Sequence, residues 1–214
     1  MKAIVVGATG LVGELIVKNL INNPSIDEIL VFSRKELSFD DERLKVHLVD
    51  FEKLTEWKSQ ILGDILFSAL GTTLNASGSK EAQFKVDHDY QLEIAKAALM
   101  NGVKKFVLIS SVNADPNSHF FYLRMKGDLE QKVALLAFEF IIILRPGPLV
   151  GFRQKARLGE RSSLFLLKLI PNFFLTPGMR PVLASKVAKT AVKEALSGFD
   201  GIRIIGPREI HLNS

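Results

Sequence analysis

Near its start the chain reads KAIVVGATGLVGELIVKNLINN, residues 2–23. An apolar, β-branched run meets three glycines, Gly7, Gly10 and Gly13, and the stretch beyond them has apolar residues at helical spacing. A strand that turns straight into a helix constrains the rest of the chain. The helix carries the backbone back along the sheet, so the next strand runs parallel to the first. Each glycine then has a physical reason: one permits the tight turn, one lets the backbone approach a pyrophosphate, and one allows the helix to pack close on the strand. The spacing is GxxGxxG rather than GxGxxG, and a glycine motif alone is weak. Its place between a strand and a helix gives it weight. Phosphates would lie on backbone N–H groups at the positive end of the helix. The alternative is a structural turn without a ligand.

The same alternation continues. Strands are expected at 2–7, 28–34, within 43–51, and at 64–71, 104–111, 138–147 and 201–206; helices at 11–23, 54–62, 80–102, 120–137, 164–170 and 184–198. This order predicts an α/β fold, a doubly wound parallel sheet with helices on both faces. The near-continuous apolar runs DILFSALG and FEFIIILRPG agree, because both faces of a parallel sheet are covered. After Gly147 the texture turns polar, basic and glycine- or proline-containing until about residue 182. Residues 148–214 are too few for a second core, so they are expected to form a small C-terminal lid or substrate-side extension of one domain spanning 1–214.

Composition removes several classes. There are no cysteines, which excludes disulfides, thiolate metal sites and cysteine nucleophiles and fits a reducing compartment. No apolar run is long enough to span a bilayer, and the first residues lack the layout of a signal peptide; no membrane association and a cytoplasmic location are expected. The formal net charge is +5, but the basic residues are scattered, so no nucleic-acid partner is expected. The histidines at 47, 88, 119 and 211 form no ligand pair, and no metal is expected. His88, beside Asp87 and Asp89, reads as a helix-surface residue.

The end of the second strand bears on cofactor choice. An NAD-preferring site has an acidic residue there for the ribose 2′-hydroxyl. This chain has VFSRKE, with Ser33 at the strand end and Arg34 and Lys35 after it. No carboxylate repels a 2′-phosphate and two cations can pair with it, which favours NADP(H) over NAD(H). Asp50, in VDF, is placed to face the adenine, and SALG at 68–71 to cover the ribose and nicotinamide side.

The chemistry is suggested further on. YLRMK puts Tyr122 and Lys126 four residues apart on a helix, hence on one face. The preceding strand ends in Ser110 and Ser111, at the carboxyl end of the sheet where ligands of such folds bind. Hydride transfer to a carbonyl leaves an alkoxide that needs a proton. A tyrosine gives it if a nearby ammonium lowers its pKa from about 10, and a serine hydroxyl can hold the substrate oxygen.

GATGLVG, the SS pair, YLRMK and RPGPLVG occur in the order seen in short-chain dehydrogenase/reductases, and the chain resembles their atypical GxxGxxG branch. ALGTT, FKVDHDY, SSVNAD and YLRMKGDLE are similar to the Tat-interacting-protein-like oxidoreductases and their bacterial relatives. The resemblance implies an NADP-binding Rossmann fold. It implies that Gly7, Thr9, Gly10, Leu11, Val12, Gly13, Arg34, Lys35, Leu70, Gly71, Tyr122, Lys126 and Leu149 meet the cofactor, with Arg157 reaching it as well. It makes Tyr122 the acid and Ser111 the better match to the catalytic serine. Many members of the superfamily have an asparagine before the fifth strand that completes a proton relay; this chain has Asp87. The extension is short for a large sugar nucleotide. The expected activity is therefore hydride transfer between NADPH and a small carbonyl or alcohol. The competing expectation is a cofactor-binding sensor with little turnover, read by a protein partner through residues 151–182.

Overall fold

The computed structural model describes residues 1–151, 181–198 and 200–212. Seven strands form one all-parallel sheet: β1 (Lys2–Val6), β2 (Glu28–Ser33), β3 (Leu44–Leu48), β4 (Ile65–Ser68), β5 (Lys105–Ile109), β6 (Phe140–Leu144) and β9 (Gly201–Ile205). Their order is β3-β2-β1-β4-β5-β6-β9. The chain winds outward from β1 to β3, returns to the other side of β1, and winds outward again. The crevice between the carboxyl ends of β1 and β4 is thus the switch point where ligands of doubly wound sheets bind.

Alternation along each strand divides the core. Ala3 and Val5 of β1 face a cluster closed by α1 (Leu11–Ile21) and α7 (Ala184–Ala195). Ile4 and Val6 face the opposite cluster, closed by α5 (Tyr90–Met100), α6 (Phe121–Ala134) and Trp57 of the short α2 (Leu54–Trp57). Residues of both clusters are buried on every central strand, which is why these strands read as unbroken apolar runs rather than alternating ones.

The elements are shorter than the sequence reading in places. The strand expected at 64–71 ends at Ser68, and the one expected at 138–147 covers Phe140–Leu144. The long helix expected at 80–102 is not uniform: α4 (Lys80–Phe84) passes through a π-helical turn, Lys85–Asp89, into α5. Periodicity is blind to one wide turn, since it changes the facing of residues by a fraction of a turn only. Two further short helices, α3 (Leu74–Ser77) and α8 (Pro207–Leu212), are not marked by the sequence pattern. Beyond β6, β7 (Leu149–Val150) pairs in parallel with β8 (Val182–Leu183). The helix expected at 164–170 and the irregular stretch expected at 171–182 lie outside the described residues but for residues 181–182, where Val182 begins β8.

Candidate functional site

The glycine turn sits at the switch point. Gly7 has φ +83°, and a Cβ there would lie 2.4 Å from the backbone of Ala69, so β1 and the β4 loop touch through this glycine. A Cβ on Gly13 would lie 2.2 Å from the Gly7 carbonyl oxygen, which fixes the close approach of α1 to the turn. Gly10 differs. Its φ of −84° suits any residue, and its nearest Cβ neighbour would be Gly7 O at 3.1 Å. It N-caps α1 without a side-chain cap. The protein's own packing demands Gly10 least, whereas a phosphate group seated on the first amides of α1 needs that space. The residues present therefore fit a dinucleotide pyrophosphate. Thr9, Leu11 and Val12 belong to the same turn, and a Cβ on Gly151 would come within 2.9 Å of the Leu11 side chain, which brings Gly151, just after β7, to the turn.

Arg34 and Lys35 follow β2 on exposed backbone, and the Lys35 amide donates to the Ser33 hydroxyl at 3.2 Å. Both cations are open to solvent at the sheet end, and Arg34 lies near enough to oppose the rise in the Tyr90 pKa. Asp50 has a structural task of its own. Its carboxylate accepts the Glu52 amide at 3.0 Å and its carbonyl accepts the Trp57 indole N–H at 3.0 Å. Arg157 lies outside the described residues.

The two serines at the end of β5 have separate roles. Ser110 is buried and donates to Glu130 of α6, which also holds Arg145 through a bidentate pair. Ser111 is free of that network: its hydroxyl donates to the Val112 carbonyl at 3.3 Å and lies near the Tyr122 hydroxyl. Tyr122 and Lys126 share one face of α6, with the Lys126 ammonium 5.9 Å from the Tyr122 ring centre. Tyr122 is 39% exposed, while Lys126 is only 2% exposed.

Lys126 has a counter-ion. Asp87, from the π turn, places Oδ1 3.2 Å from Lys126 Nζ, and its Oδ2 accepts the Thr72 amide at 2.7 Å. A Cβ on Gly71 would sit 3.4 Å from the same carboxylate. Burial pushes Asp87 above the usual carboxylate range, against the pull of Lys126 and the Thr72 amide. Desolvation likewise pushes the Tyr122 phenol up; Lys126 and Ser111 draw it down and Asp87 adds to the rise.

Two expectations are corrected here. Ser68 does not face a ligand: it is fully buried and donates to Gln91 at 2.7 Å, whose amide in turn holds the Asp87 carbonyl at 2.6 Å. His88 is not a surface residue. It is buried between Asp89 (2.7 Å) and Asp128 (2.8 Å) and stacks on Phe84. The wide turn directs Asp87 and His88 together toward α6, and sequence spacing carries no sign of that. Glu130 and Arg145 escape sequence reasoning too, because their partners are 15 to 20 residues away in sequence.

The HIM1 family model matches residues 33–169. The protein named "Protein FMP52, mitochondrial" from Saccharomyces cerevisiae is 34% identical over 98% of this chain and 95% of its own length. The chain belongs to the HIM1 family. A second relative of this HIM1-family chain, "Protein fmp52, mitochondrial" from Emericella nidulans, is 41% identical over 75% of this chain and 72% of its own. Among solved structures, MoeE5 in complex with UDP-glucuronic acid and NAD has a TM-score of 0.74 at 19% identity, covering 96% of this chain and 76% of that one. The oxidoreductase ylbE from Lactococcus lactis has a TM-score of 0.70 at 17% identity, covering 99% and 96%. These likenesses establish the Rossmann-like α/β fold of the epimerase and short-chain reductase proteins. The narrower branch expected from the motifs is not the one that matches: the names are HIM1 and FMP52. The relatives are named mitochondrial, which overturns the cytoplasmic expectation. Absence of cysteine fits any reducing compartment and does not separate the two.

Proposed function

We propose that this HIM1-family chain is a mitochondrial NADP(H)-binding oxidoreductase that reduces a small carbonyl compound, with Tyr122 as the proton donor. The observation that carries this reading is the Tyr122–Lys126 pair on one face of α6, with Ser111 near it at the carboxyl end of β5, beside the switch point that holds the glycine turn. A bound nicotinamide would supply the hydride. The chain's own residues do the rest. The first amides of α1, opened by Gly10, hold the pyrophosphate; Arg34 and Lys35 take the 2′-phosphate; Ser111 holds the carbonyl oxygen; Tyr122 gives it a proton; Lys126 orients the ribose and steadies the phenol.

A second reading keeps the cofactor and drops turnover. The polar, basic stretch at 151–163 favours it. A protein partner would then read residues 151–182. Calorimetry with NADPH and NADH tests the shared part: NADPH binds more tightly, and Arg34→Ala with Lys35→Ala removes most of the preference, each charge-assisted contact being worth about 1.5–3 kcal/mol. Equal affinities in the parent protein overturn the NADP(H) assignment. An NADPH-consumption screen over aldehydes, ketones and quinones then separates enzyme from sensor.

A further inference from the structure

The pair that Asp87 makes with Lys126 is nearly inaccessible, the side chains being 2% and 3% exposed. A lysine whose charge is meant to lower a phenol pKa normally faces the phenol without a closer anion. Here an anion is 3.2 Å away, fixed from its other side by the Thr72 amide and held by the Gln91 amide on its own carbonyl. An asparagine in that place would leave the ammonium uncompensated.

Building on the oxidoreductase reading, we propose that Asp87 is a positioning residue for the Tyr122–Lys126 pair: its carboxylate holds the ammonium beneath the phenol and takes up its charge, so that the phenol keeps its proton in the free protein. The pair is thereby set for reduction. A bound reduced nicotinamide would supply the hydride to the carbonyl carbon; as the C=O π pair moves to oxygen, that oxygen would take the phenolic proton. The phenolate left behind regains a proton from water. Oxidation of an alcohol needs the phenolate first, and Asp87 opposes it.

Among the described residues, the groups facing this centre come from each packed element: Lys126 from α6, Asp87 from the π turn, the Ser111 hydroxyl from the end of β5 and the Thr72 amide from the β4 loop. Next along α6, His88, Asp89, Asp128 and Lys132 contact one another, with Lys132 2.7 Å from Asp128.

The chain has two tyrosines. Tyr90 stacks on Phe51, a contact that Tyr90→Phe retains. In that background the ultraviolet phenolate signal reports Tyr122 alone, without cofactor or substrate. Asp87→Asn lowers the Tyr122 midpoint by about 1–2 pH units, the effect of an uncompensated charge at this range. Asp87→Asn with Lys126→Met, which removes both charges, returns the midpoint to within about one unit of the parent. An unchanged or raised midpoint in Asp87→Asn overturns the proposal. Should that single variant fail to fold by circular dichroism, the double variant decides: a buried pair is commonly replaceable as a unit, and a midpoint more than about one unit above the parent means that the lysine charge was acting on the phenol uncancelled. Failure of NADPH to bind or to be consumed sinks the proposed function and leaves the titration untouched, so the two failures are distinguishable.

Discussion

Gly7, Gly10 and Gly13 are glycines for different reasons, and substitution separates them. Gly13→Ala drives a methyl group into the Gly7 carbonyl. It should cost at least about 1–3 kcal/mol, read as a lower urea midpoint. Gly10→Val meets less protein and should leave a folded chain that no longer binds NADPH, because the branched side chain fills the pyrophosphate space. An unchanged dissociation constant in the folded variant would show that the turn is not the phosphate site. Tyr122→Phe keeps the ring and loses one hydroxyl. Turnover of a confirmed substrate should fall by about 10²–10⁴, the worth of a positioned acid, with a much smaller change in NADPH affinity. Full turnover in that variant would remove Tyr122 from the mechanism.

At the scale of elements, α6 is tied to the sheet by polar straps as well as by Leu129 and Val133. Glu130 joins the end of β5, through Ser110, to Arg145 at the end of β6. Glu130→Ala leaves a guanidinium and a hydroxyl without their acceptor and should cost about 3–5 kcal/mol in urea unfolding, while Glu130→Gln keeps part of the bonding and costs less. At the opposite end of the sheet, Glu28 of β2 links Lys45 of β3, at 2.6 Å, and Lys2 of β1, at 3.0 Å. The Lys45 bond, then the Lys2 bond, hold its carboxyl below the ordinary value of 4.5. Because the folded pKa is the lower one, this contribution to stability is complete above the ordinary value and is lost as pH falls through the folded pKa. Glu28→Gln should therefore flatten the acid side of the stability profile and leave its slope near neutral pH unchanged.

For the whole molecule, the expected cofactor is a stabiliser of the native state only. NADPH at about a hundred times its dissociation constant should add about 2.7 kcal/mol, which for a chain of this size raises Tm by about 5–11 °C. NADH at the same concentration should raise it less. The same scan on the Arg34→Ala, Lys35→Ala protein should show the two nucleotides nearly level, and an identical shift by both in the parent would remove the preference for the phosphorylated cofactor.

Sheet class and the seven strands of the main sheet were legible in the sequence because they rest on local matters: apolar runs long enough for strands, helical spacing between them, and a glycine turn between a strand and a helix; the two-residue strands β7 and β8 were not. Tyr122 and Lys126 could be paired because four residues on a helix is a short-range relation. The rest required the chain to be folded. The division of labour between Ser110 and Ser111, the burial of His88, and the turn of Ser68 away from any ligand depend on partners brought together by the sheet order β3-β2-β1-β4-β5-β6-β9. Asp87 is the sharpest case. Its identity was visible in KVDHDY, but its pairing with Lys126 was not. A single π turn decides which way that carboxylate points, and hydrophobic periodicity does not register one extra residue in one turn.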